Sequence, residues 1–228
     1  MQRGFINVPI FRNFSYFLPH VYRYMNKEFV DLFFETGKIK LSCFNNYRKY
    51  ENQVIGDSEE GYNSVTKNCK DEDKSIGIFT LVGLDAYSLC TSTILSKTLM
   101  DKFNYDAVMK IHDPQAFSIM LASCIVNFKE ASQGHCIYVD NKMNLQEVDH
   151  LSFTRHDDSP ENQALIMEKL KKIQSDNPNE LYFLKPMRYN YQSEYRFVWL
   201  IDGKVKESIE IECKQAVQFC ERVTNIPE

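Results

Sequence analysis

The sequence predicts an α+β fold. Three observations carry that expectation: short segments with strand-like apolar alternation or apolar runs, helical segments opened by capping and proline devices, and no regular strand–helix rhythm of the kind a doubly wound sheet shows. At 228 residues, with 43% hydrophobic and 25% charged residues, the chain is long enough to bury a sizeable core and short enough to form one domain.

Residues 1–20 read as an N-terminal arm. Residues 21–24 then read as a short strand, after which Asn26 is placed to cap a helix that carries Phe29, Leu32 and Phe33 on one face and ends at Gly37. Residues 38–42 alternate with period two, 76–82 form an apolar strand run, and Ala86–Ser92 is a third strand candidate. The polar stretch 57–75 between them reads as a mobile loop. Asp113 and Pro114 are a good N-cap and first helical residue, followed by Phe117, Leu121, Cys124, Ile125 and Phe128 at helical spacing. Ser159 and Pro160 repeat the device ahead of Leu165, Ile166, Leu170 and Ile173. The last strand-like segment is 187–201, in which Gln192, Glu194 and Arg196 share one face while Tyr191, Tyr195, Phe197 and Trp199 share the other, which should be buried.

Composition narrows the function classes. Seven cysteines without a C-x-x-C pair fit structural thiols in a reducing, cytoplasmic setting. No apolar run approaches the roughly 18 residues that span a bilayer, and no apolar leader opens the chain, so no membrane association is expected. A net charge of −4 argues against a broad nucleic-acid face and leaves room for a local basic cleft. The five histidines show no ligand-like spacing, so no metal site is expected, and neither a P-loop nor a Gly-x-Gly-x-x-Gly turn occurs.

Three short segments gain meaning together: an arginine between tyrosines on an early strand (Tyr22, Arg23, Tyr24), a hydroxyl-rich strand end (Cys90, Thr91, Ser92, Thr93), and the late Gln192-Ser193-Glu194. In that order they resemble the arginine, S-T-S and Q/E-x-E elements of the ADP-ribosyltransferase superfamily, with Cys90 standing where its first serine would be. A second resemblance is to a family of uncharacterised bacterial proteins. Its pattern opens on a tyrosine-basic-tyrosine strand, passes through an I-x-L-S strand (here from Ile39) and closes on K-P and E-x-E-Y-R (here Lys185-Pro186 and residues 192–196); some members look like phage-defence or toxin proteins.

These resemblances imply a split mixed or antiparallel sheet with flanking helices, NAD as co-substrate, and transfer of ADP-ribose to protein, RNA or DNA, in a toxin or antiviral defence effector with an antitoxin or defence-system partner. Glu194 would stabilise the positive charge that develops on the ribose as nicotinamide leaves, as carboxylates do at glycosidic bonds. Gln192 would orient the acceptor. Arg23 would hold the pyrophosphate or a ribose with its planar fork, and Ser92, with Thr91, would bond the nicotinamide ribose and brace Glu194. Tyr22, Tyr24, Tyr47 and Tyr50 are available to stack on nicotinamide, and Tyr47 and Arg48 belong to a polar-aromatic run that suits a nucleotide.

The same residues admit plainer readings. Glu194 and Arg196 read as a surface ion pair, Arg23 as a cation–π contact between its tyrosines, and Glu59 and Glu60 as solvated loop positions. A nuclease using Asp57, Glu59 or Glu60 with Lys185 around a divalent ion, and a non-enzymatic sensor of a nucleotide or phage protein, are the competing functions. For the acceptor, the acidic overall charge leans towards protein, while Tyr47, Arg48, Lys49 and Tyr50 would suit nucleic acid.

Overall fold

Strand β1 (Val21–Met25) leads through Asn26 into helix α1 (Lys27–Thr36). The computed structural model describes residues 20–50, 54, 56–69, 75–148 and 180–228. The helix expected after Ser159 and Pro160, and the N-terminal arm up to residue 19, lie outside the described residues. Asn26 has the extended backbone of an N-cap, but its side chain makes no capping bond. Helix α1 buries Val30 and Phe33 and leaves the expected Phe29 exposed. Its end is built as expected: Gly37 takes φ +80° and donates to the Phe33 carbonyl at 2.7 Å.

Strand β2 (Lys38–Cys43) and the short helix α2 (Phe44–Lys49) follow. The stretch expected as a loop instead contains strand β3 (Tyr62–Cys69), which pairs antiparallel with β4 (Ser75–Leu81). The charges at 57–60 and 70–74 mask the strand, yet the segment between them carries Val65 and Thr66, which fit a pleated surface. Strand β5 (Ala86–Ser92), helix α3 (Lys97–Phe103) and strand β6 (Ala107–Ile111) come next. Helix α4 (Pro114–Ala122) is capped by Asp113, whose carboxylate accepts from the Ala116 amide at 3.0 Å. This helix is shorter than the apolar spacing implied, since Phe128 opens strand β7 (Phe128–His135).

The remainder is strand-rich: β8 (Ile137–Val139), β9 (Met143–Val148), β10 (Leu184–Pro186), β11 (Glu194–Ile201), β12 (Ile209–Glu212) and β13 (Cys220–Arg222). Residues Met187–Gln192, expected as the start of one long strand, form a 3₁₀ turn, and Ser193 with φ +42° makes the corner into β11. A single αL residue is enough to stop the period-two pattern.

Eight strands form an antiparallel sheet in the order β12-β2-β5-β1-β6-β13, with β11 lying between β5 and β7. One edge of β5 pairs with β11 along its whole length. The other edge is shared: β2 pairs at Ser42↔Ser88 and Cys43↔Tyr87, while β1 pairs only at Tyr22↔Ser92. Between those contacts the sheet splits, and the Cys90 carbonyl of β5 meets Arg23 of β1 across the gap. Two further parallel pairings, β10 with β8 and β3 with β9, lie in smaller sheets, so the molecule is α+β with a mostly antiparallel sheet.

Strand β11 divides the interior. Tyr195, Phe197 and Trp199 face the main core with Phe33 of α1 and Phe117 and Leu121 of α4, and the Phe197 and Trp199 rings stack at 5.8 Å. Glu194, Arg196 and Val198 point the opposite way, Val198 into a second apolar cluster with Phe44 and Phe183. Both faces of this strand are therefore buried, and two of its inward residues are charged.

Candidate functional site

The split in the sheet opens into a cleft of about 690 Å³, the open solvent at its mouth included. Tyr22, Arg23 and Tyr24 reach it from β1, Cys90 and Thr91 from β5, and Glu194 and Arg196 from β11. Tyr47 and Tyr50 close one side, and Lys185, Gln192 and Glu60 close another. Segments some 70 and 100 residues apart in the chain are thus gathered at one place by strand pairing, with Ser92 opposite both Tyr22 and Glu194.

A chain of four alternating charges lines one part of this cleft. The Lys185 ammonium donates to the Glu194 carboxylate and, at 2.8 Å, to the Gln192 side-chain carbonyl. Arg196 donates from Nε to Glu194 Oε1 at 2.8 Å, and from its terminal nitrogens to Glu60 at 2.6 and 3.2 Å. A further Arg196 bond reaches the Tyr182 carbonyl at 2.7 Å. All four charged side chains are buried. The expected surface ion pair of Glu194 and Arg196, and the solvated position of Glu60, are thus replaced by a buried network, the arrangement in which desolvated charges must pair to persist.

Electrostatics follow from this packing. Burial on its own would raise the Glu194 pKa, but the guanidinium of Arg196 and the ammonium of Lys185 outweigh it and hold the carboxyl well below the usual carboxylate range. Lys185 is pushed the other way: burial favours its neutral form, and the Glu194 carboxylate reverses that and keeps it charged. The Cys90 thiol rises to about 12, chiefly through burial and then through Glu194, so it is a poor nucleophile. It donates instead to the Tyr47 hydroxyl at 3.2 Å.

Arg23 donates to the Cys90 carbonyl at 2.6 Å across the split, and its Nε is buried without a partner. Among the described residues it makes no ion pair. The charges lining the cleft, Arg23, Lys185 and Arg196 against Glu60 and Glu194, leave one net positive charge for an anionic ligand.

Several expected roles need amendment. Ser92 does not brace the Glu194 side chain: its hydroxyl donates to the Gln192 carbonyl at 2.7 Å and accepts from the Ile94 amide, so it holds the corner before β11. Thr91 lines the cleft while its hydroxyl is spent on the Tyr195 carbonyl at 2.6 Å. Gln192 lies in the 3₁₀ turn rather than on the strand, and its amide bridges Lys185 and the Val54 carbonyl. Arg48 lies outside the cleft lining, bonded to the Glu60 carbonyl and placed over the Tyr62 ring at 5.6 Å. Tyr24 is buried, its hydroxyl bound to Ile94 and Ser96, while Tyr50 remains exposed at the rim.

The acidic residues of the nuclease reading take basic partners: Arg188 reaches both Asp57, at 3.5 Å, and Glu59, at 4.0 Å. Asp57 is buried against Lys142 and Arg188, Glu60 belongs to Arg196, and Glu59 is exposed. No group of three or more His, Cys, Asp or Glu side chains able to hold a metal ion occurs among the described residues. No described helix is long and apolar enough to cross a membrane. Comparison with protein-family models, curated proteins and solved structures returned no match.

Proposed function

We propose that the cleft binds NAD as a consumed substrate and that the protein transfers its ADP-ribose to a macromolecule, in the manner of an ADP-ribosyltransferase-like fold. The observation that carries this reading is the split along β5, which brings Arg23, the Cys90–Thr91 strand end and Glu194 to one cleft, the three elements on which the sequence resemblance rests.

The chemistry is consistent with that placement. Breaking the nicotinamide–ribose bond leaves positive charge on the sugar, and a carboxylate held ionised and fixed in place stabilises it without reorganising. Glu194 is held in that state by Arg196 and Lys185. Each of its oxygens accepts one described hydrogen bond, which leaves acceptor capacity towards the cleft. Arg23, with a free Nε and no carboxylate partner among the described residues, would take the pyrophosphate. Tyr22 and the exposed Tyr50 offer rings for nicotinamide or adenine. Gln192 fixes the wall beside Glu194 at which an acceptor would enter. A toxin or defence effector is the context the resemblance supplies.

Incubating the purified protein with NAD labelled in its adenylate part and a cell lysate, while following free nicotinamide and label on protein, RNA and DNA separately, tests this directly. Label transfer that disappears in Glu194→Gln supports the transferase and identifies its acceptor class. Absence of NAD turnover with every acceptor, or full turnover in Glu194→Gln, rejects it.

A further inference from the structure

We propose that Glu60, a residue with no assigned part in the transferase reading, is a positioning residue for Glu194, acting through Arg196; the inference rests on that reading. A guanidinium beside a carboxylate ordinarily closes on it with two parallel bonds. Arg196 does not do so with Glu194. Glu60 takes both of its terminal nitrogens, at 2.6 and 3.2 Å, and leaves only Nε, at 2.8 Å, for Glu194. The Tyr182 carbonyl shares one of those terminal nitrogens at 2.7 Å, and all three charged side chains are buried. Glu60 is itself held in place: its amide donates to the Asp57 carbonyl and its carbonyl accepts from Arg48.

Removing the Glu60 charge therefore frees one arm of the Arg196 fork beside Glu194, the other carboxylate it bonds among the described residues. The fork then closes on Glu194, occupies the acceptor positions that face the cleft and neutralises the charge on which the transition state depends, while Arg23 and the tyrosines are untouched. Glu60 thus acts mainly on catalysis; the charge that its substitution removes from the cleft lining bears on NAD binding only weakly.

The test is a double-substitution cycle on the full chain using Glu60→Gln, Arg196→Lys and the pair, with Glu60→Asp retaining the charge. In Glu60→Gln, kcat for nicotinamide release falls on the order of tenfold or more, KM for NAD stays within about twofold, and Glu60→Asp recovers part of the loss. In the Arg196→Lys background, Glu60→Gln adds no further loss, because both act through one group. Wild-type kcat in folded Glu60→Gln, or losses that multiply in the pair, overturn the inference. The Arg196 Nε proton, followed by NMR, reads the tether without any turnover: it is slow to exchange and shifts in Glu60→Gln. An unchanged resonance also overturns the inference, even should the protein prove not to consume NAD, an outcome that rejects the transferase on its own.

Discussion

Lys185 and Glu194 form an ion pair in which the side chains are only 7% and 3% exposed, although Lys185 belongs to a two-stranded parallel sheet and Glu194 to the main antiparallel one. The pair ties the small sheet to the wall of the cleft. Deleting one partner of such a pair leaves an uncompensated buried charge, at a cost of about 3 kcal/mol or more. Lys185→Met should lower the unfolding free energy by that order, measured by urea denaturation at pH 7. The double substitution Lys185→Met with Glu194→Leu should recover part of the loss. A single variant as stable as the wild type would mean that the pair is not formed in solution.

The sign of the pH dependence follows from Glu194. Its pKa in the folded chain is depressed below the ordinary 4.5, so the unfolded chain binds the proton more readily. The stability this group contributes is fully present above about pH 5 and is lost as pH falls through and below 4.5. Unfolding free energy should therefore drop between pH 5 and pH 3, and the drop should be shallower in Glu194→Gln. Equal slopes in the two proteins would show that other carboxylates govern acid unfolding.

How much of this was legible in the sequence depended on whether the signal was local. Ala86–Ser92, the Gly37 stop and the Asp113–Pro114 start carry their own turn and capping chemistry, and each is found where its residues place it. Glu194 and Arg196 were visible as a pair, but their burial was not, because it is imposed by β5 and β7 on either side of β11 and by Glu60 from 134 and 136 residues away. Strand β3 was hidden by flanking charges, and Met187–Gln192 looked like strand because a 3₁₀ turn ending in an αL serine leaves no composition signal. The role of Lys185 in the network is equally a product of the parallel pairing between β10 and β8.

Gly37 offers a sharp local check. Its φ of +80° is disfavoured for any side chain, and a Cβ there would come within 2.5 Å of the Lys214 backbone nitrogen. Gly37→Ala should destabilise the protein by more than the ~1 kcal/mol of an ordinary αL substitution, since backbone rather than a flexible side chain must move. Asp113→Ala, which removes one capping bond, should cost about 1 kcal/mol by the same thermal or urea measurement. If the two losses are equal, the close approach of α1 to residue 214 is wrong.

Arg23 separates binding from folding. Among the described residues it makes one hydrogen bond, to the Cys90 carbonyl, so Arg23→Gln should change stability by no more than about 1 kcal/mol. As the proposed pyrophosphate anchor it should matter far more to the ligand: NAD affinity measured by calorimetry should fall on the order of tenfold or more, since a charged donor to phosphate is removed. Arg23→Lys should recover only part of that affinity, because an ammonium cannot both span the split to Cys90 and present a second donor in the plane of the fork. NAD binding unchanged in Arg23→Gln would put the pyrophosphate elsewhere and leave the Arg23 Nε without its proposed ligand.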